Sequence, residues 1–194
     1  MSELTQGQFA EHRVREDLVI VLDFLSNGYP FDTRPSHKKT AIVQAIGKEH
    51  IVLLELVPKK DIFLQPLEEV YIGEGKRDKI HHIKGRLPFD QLTATARSEL
   101  IHTARELVEK HQARFVEFFN NAQPLTTRMH QLELLPGLGK KHMLEVLEAR
   151  KEKSFESFDD IKKRVKLMPD IPSIITKRII AELEGKEKHR VFVH

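Results

Sequence analysis

The sequence predicts an α+β chain, with a small β-barrel first, a helical connector next and an all-α repeat last. Three observations predict it. Five short runs rich in β-branched and other apolar residues, separated by turn residues, occupy the first 88 residues. Over residues 100–119 the apolar positions change to a helical period. A Leu-Pro-Gly turn at residues 134–141 then recurs in altered form at residues 167–172, which is the mark of a duplicated unit.

The strands are expected at residues 18–25, 41–46, 51–57, 70–72 and 80–87, with Gly47-Lys48-Glu49 joining the second to the third. Five short strands fit an OB-like barrel, and strand count alone fits an SH3-like barrel as well. An OB-like domain over residues 1–88 would offer a face and loops suited to single-stranded nucleic acid. Two clusters in it have the right chemistry. The loop from Asn27 to Lys39 interleaves Tyr29 and Phe31 with Arg34, Lys38 and Lys39, and the run from Lys76 to Arg86 adds Arg77, Lys79 and Lys84. Tyr29, Phe31 or Tyr71 would either stack a base or anchor its loop to the core. The basic run reads either as a binding face or as a strand edge guarded by lysines.

Residues 89–124 form the connector. Leu100, Ala104, Leu107 and Val108 share one helical face, which Phe115, Val116, Phe118 and Phe119 continue. A break is expected near residues 110–112, and Pro124 biases the residue before it away from helix. This face is for packing.

Residues 125–194 carry the repeat. In Leu134-Leu135-Pro136-Gly137-Leu138-Gly139-Lys140-Lys141, two glycines stand one residue apart before lysines that open a helix. Glycine permits positive φ and close backbone approach, and the first N–H groups of a helix have no partner within it. Together they make a seat for a phosphate. The spacing resembles the hairpin of a helix-hairpin-helix module, with its leading helix over residues 126–134, capped by Thr126 or Thr127. That resemblance implies contact with a DNA or RNA backbone through Gly137, Leu138, Gly139, Lys140 and Lys141. It also implies that the carbonyls of Leu135, Gly137 and Leu138 hold K⁺ or Na⁺. In the second copy Asp170 and Pro172 replace the two glycines, which adds a negative charge and removes an N–H, so one working phosphate grip is expected rather than two. Between the copies, Ser157 reads as an N-cap with Asp159 and Asp160 in the first turn, where the helix dipole favours carboxylates. Dipole placement accounts for this pair better than a glycosylase-like catalytic aspartate does.

Composition narrows the function. The chain has 194 residues and a net charge of +3, but residues 125–194 hold 15 Lys and Arg against 11 Asp and Glu. Residues 1–124 hold 17 against 18, so the basic excess lies with the repeat. With no cysteine, disulfides and thiolate metal sites are excluded. No apolar run is long enough to span a membrane, and the polar residues 1–16 lack the core of a secretion signal, so a cytoplasmic, monomeric protein is expected. His81 and His82 are neighbours on a strand and should face opposite ways, and no histidine pair has the i, i+4 spacing of a helical zinc site. No transition-metal site is expected. Walker, nucleophile-elbow and two-metal nuclease patterns are all missing, so the expectation is a binding protein and not an enzyme.

The whole chain also resembles a family. Val21-Leu22-Asp23-Phe24-Leu25-Ser26-Asn27-Gly28-Tyr29-Pro30, Tyr71-Ile72-Gly73, residues 118–128 and residues 135–141 resemble the archaeal domain of unknown function 655 over nearly the full length. The resemblance implies an OB-like β domain fused to an all-α tandem helix-hairpin-helix domain, and RNA binding linked to ribosomal RNA or translation. The resulting expectation is a sequence-tolerant nucleic-acid-binding protein that prefers RNA. A scaffold for ribosomal or RNA-processing proteins and a DNA-binding repair or nuclease-related protein are the alternatives.

Overall fold

The structure, a computed structural model, describes residues 15–193, so most of the polar amino-terminal segment lies outside the described residues. Strands β1 (Leu18–Leu25), β2 (Ile42–Gly47), β3 (Leu53–Pro58), β4 (Glu69–Tyr71) and β5 (Ile80–Arg86) form one antiparallel sheet in the order β4-β1-β2-β3-β5. Register shifts between Val21 and Asp23 in β1, and in β5 opposite Glu55/Leu56 and Val57/Pro58 of β3, curl the sheet, because an unpaired residue bends its strand. The strand period of two sorts its side chains. Val19, Val21, Val43, Leu54, Leu56 and Ile72 fill the concave face, under a lid that includes Leu64. Leu22, Ile46 and Leu53 face the other way, toward the helices.

Helix α1 (Ala94–Lys110) packs on β1 and β2 and also on α5 (Ile171–Leu183). Its start is fixed by Thr93, whose hydroxyl accepts from the Ala96 N–H at 3.0 Å and donates to Asp23 at 2.6 Å. A cap of this kind is worth about 1 kcal/mol. Beside it Gln44, fully buried, donates to the Gln91 carbonyl and accepts from the Thr93 N–H, tying strand to helix. Helix α2 (Gln112–Asn121) adds Phe115, Val116 and Phe119 to the core. The chain then forms a hairpin of β6 (Pro124–Thr126) and β7 (Met129–His130), followed by α3 (Lys140–Glu152) and α4 (Phe158–Arg164). The end of the chain straps over the helices. Phe192 meets Phe115 and Phe118 edge-on, and buried Glu182 accepts the N–H groups of Val191, Phe192 and Val193, each at 3.0 Å.

Two parts of the sequence-based fold are overturned. The sheet is a curled half-barrel and not an OB-like barrel, since β4 and β5 end the strand order and do not pair. Three-residue β4 gives way at once to the turn at Gly73 and Gly75, too soon to reach β5. Nor do residues 125–194 make an all-α tandem helix-hairpin-helix domain. Residues 126–134, expected as the leading helix, are a β-hairpin and a 3₁₀ turn. Local side-chain bonds win there: Gln131 accepts from the Gln123 N–H, Thr126 from the Arg128 N–H, and His130 from the Leu132 N–H. The helices also share one continuous core with Leu22, Ile46 and Leu53 of the sheet. Elsewhere the patterns held: each strand starts and ends within two residues of its expected position, α1 stops at Lys110, and Ser157 caps α4.

Candidate nucleic-acid interface

At residues 135–139 the Leu138 N–H donates to the Leu135 carbonyl at 3.0 Å, closing a turn in which Pro136 is followed by Gly137 at φ +86°. Pro then Gly suits a turn whose third residue must have positive φ. Leu135 and Leu138 are buried, so the turn is bolted to the core while its glycines face outward. Gly139 is the N-cap of α3 and has no side chain to cap it; a Cβ built there meets nothing within 4 Å. The N–H groups of Lys140, Lys141 and His142 find no acceptor among the described residues. Lys140 and Lys141 are exposed, and neither forms an ion pair there. The result is an open, positively charged helix end with space in front of it.

The second turn lies against the first. Pro169 sits 3.7 Å from where a Gly137 Cβ would be, and His142 Nε2 meets the Leu167 carbonyl at 3.1 Å. Here the helix end is already closed. Asp170 caps α5 through the Ser173 N–H at 3.1 Å and pairs with Arg105 at 3.3 Å and Lys162 at 3.8 Å. Of the ligands considered for a monovalent cation, the Leu135 carbonyl is already engaged in the turn.

The basic residues of the β half divide into tied and free. Arg34 grips Asp32 through both oxygens and holds that carboxyl down at about 2. Lys79 pairs with Glu68, Lys84 pairs with Glu55, and Arg77 donates to the Gly73 carbonyl at 2.9 Å. Lys38, Lys39, Lys76 and Arg86 make no ion pair among the described residues. Tyr29 donates to Glu55 at 2.9 Å and accepts from Gln44 at 3.2 Å, and burial pushes its phenol up to about 12. Glu55 thus joins the two clusters, taking Tyr29 of the loop on one oxygen and Lys84 of β5 on the other. Along the open edge between β4 and β5 runs a cleft of about 670 Å³, floored by Val52, Leu54 and Ile72 and flanked by Arg77 and Arg86.

Sequence reasoning missed this cleft, because it exists only where two strands fail to pair. It also misplaced the histidines: His81 and His82 do not face apart, and their Nδ1 atoms lie 2.7 Å apart. On β5, an edge strand with shifted register, both rings are exposed and their Nδ1 atoms lie within hydrogen-bond distance of each other. No group of three metal-ligating side chains forms among the described residues.

Residues 15–194 match the model of a family described as a protein of unknown function, DUF655. An uncharacterised protein of Methanocaldococcus jannaschii, MJ0038, is 44% identical over 180 residues, covering 92% of this chain and 80% of that protein. The crystal structure of Af1531 from Archaeoglobus fulgidus, titled a DUF655 family model, is 40% identical with a TM-score of 0.84. The match takes in 92% of this chain and all of that one.

Proposed function

We propose a function for a chain that belongs to the DUF655 family: it binds nucleic acid, RNA in preference to DNA, by gripping the phosphate backbone without reading sequence. The observation that carries this reading is the uncapped amino end of α3. Three N–H groups there find no acceptor among the described residues, a Cβ built on Gly139 meets nothing within 4 Å, and Lys140 and Lys141 beside them form no ion pair among the described residues. A phosphate supplies what this helix end lacks, both the acceptor and the negative charge. The closed end of α5 has neither vacancy, which supports a single grip. Lys38, Lys39, Lys76 and Arg86 of the β half, which form no ion pair among the described residues, add further cationic groups. The reading requires no catalytic group, and it is compatible with a place in ribosomal RNA or translation-related processes.

Anisotropy of labelled RNA and DNA oligonucleotides, titrated at several salt concentrations, tests this. The double variant Lys140→Glu, Lys141→Glu should bind all sequences at least about tenfold more weakly, and its slope of log Kd against log salt should fall by roughly one to two. Unchanged affinity and slope in a folded variant would remove the turn from the interface. A second reading, a scaffold for RNA-processing or ribosomal proteins, is favoured by Leu144 and Leu167, 57% and 86% exposed near the same turns. It would gain if the double variant bound RNA normally while Leu144→Asp released a protein partner.

A further inference from the structure

Phe31 is 76% exposed, and its ring lies parallel to that of Tyr29, with centroids 4.9 Å apart and planes 11° from each other. An aromatic ring left in water normally moves freely or folds back onto the core. This one is held out.

The hold can be traced residue by residue. The Asp32 N–H donates to the Tyr29 carbonyl at 3.1 Å, closing a turn with Pro30 and Phe31 at its centre. Pro30 presets the backbone angle for that position. Gly28, at φ +68°, brings the chain within contact of the Thr40 carbonyl, and the Arg34–Asp32 fork clamps the far side. Beneath Phe31, the Tyr29 hydroxyl is fixed by Glu55 and Gln44, both buried, and Gln44 is bonded in turn to the start of α1. One face of the Phe31 ring is therefore packed on a rigid support, and the other is open.

From this we propose that the open face of Phe31 is a stacking platform for one unpaired base of a single-stranded RNA segment, with Lys38 and Lys39 of the same loop taking an adjoining phosphate. The platform deepens the nucleic-acid reading and rests on it. A base has a flat π-face matching the ring, and every base has one, so the platform adds affinity without sequence preference. The charge of the loop selects this occupant over an apolar protein side chain: Lys38 and Lys39 form no ion pair among the described residues, and the only acid between Tyr29 and Lys39, Asp32, feels the charge of Lys39 but is gripped through both oxygens by Arg34. A paired duplex hides its base faces and gains nothing here.

The chain has no tryptophan, so Phe31→Trp installs a single indole at the platform. Its emission is followed as unlabelled oligouridylate is added, and anisotropy of labelled oligouridylate and of a labelled RNA hairpin stem is measured on the wild type, Phe31→Ala and Phe31→Trp. Emission should be quenched with the same midpoint as the anisotropy change. Phe31→Ala should bind the single strand about 5- to 100-fold more weakly and the stem as the wild type does. Flat emission at concentrations where anisotropy reports binding overturns the platform, as does a Phe31→Ala variant with wild-type affinity for the single strand. Adding Lys140→Glu and Lys141→Glu to Phe31→Trp separates the two readings. Full-affinity quenching in that background keeps the platform and removes the turn; weakened binding whose emission stays flat even at concentrations where anisotropy reports binding keeps the turn and removes the platform. No binding of any RNA by the wild type overturns both.

Discussion

His130 is buried at the head of the turn that leads to Leu135, and its two ring nitrogens have different surroundings. Nδ1 accepts from the Leu132 N–H at 3.2 Å, while Nε2 is buried with no partner among the described residues. Burial first, then the charge of Arg150, hold its pKa below the ordinary 6.5. The folded protein therefore keeps this ring neutral at pH values where the unfolded chain protonates it. Stability from this residue is present above 6.5 and is lost as pH falls toward the folded-state pKa. His130→Asn keeps an N-cap acceptor and removes the titration. Melting temperatures between pH 8 and pH 5 should fall less steeply in this variant than in the wild type. Parallel slopes would mean that the buried ring is not a stability-linked group. A histidine beside Gln131 and Leu132 gives no such signal in the sequence, because its burial is created by chain segments far away. The same holds for the i, i+4 pair Arg178 and Glu182, whose burial comes with contacts from distant segments: the Leu134 carbonyl accepts from Arg178, and Glu182 accepts the Phe192 N–H.

At the scale of elements, the two helix ends that face each other across Pro169 have opposite needs. Helix α5 brings its own carboxylate, Asp170, and α3 brings none. This contrast was legible in the sequence, since Asp170 stands where Gly137 stands in the first copy. The hairpin before α3 was not legible: Leu132 and Leu135 fit a helical spacing, but three side-chain bonds from Thr126, His130 and Gln131 hold the backbone in another form. The open end also separates stability from binding. Gly139 has φ −85° and ψ −179°, a shape any residue adopts at an N-cap, and a Cβ there is unopposed. Gly139→Asp should cap α3 with its own carboxylate, raising stability by roughly 0.5 kcal/mol. That carboxylate would sit where the phosphate is proposed to sit. RNA affinity should fall at least about tenfold while the urea midpoint rises. A variant that gains stability and keeps full affinity would place the RNA elsewhere.

The whole molecule is organised around α1. Its Leu100, Ala104 and Leu107 belong to the same buried cluster as Leu22 and Leu53 of the sheet, Phe119 of α2, Val146 of α3 and Ile175 of α5. Strand positions could be read from local alternation, but this arrangement could not. Which helix face meets which strand depends on contacts between residues far apart in sequence, and whether the sheet closes depends on how soon β4 ends. With a core shared this widely, removing either half would strip apolar cover from the other, so helices and sheet should unfold as one cooperative unit. The sequence supplies separate probes for the two parts. The two tyrosines, Tyr29 and Tyr71, both lie in the β half, whereas ellipticity at 222 nm is dominated by the helices. Urea titrations followed by tyrosine emission and by ellipticity should give superimposable curves with one midpoint and one slope. A fragment of residues 125–194 should show no cooperative transition, because Leu132, Leu135 and Ile175 would lose the buried partners that α1 and α2 provide. Separated midpoints, or a fragment that melts cooperatively, would mean that the sheet and the helices are independent folding units despite the contacts between them.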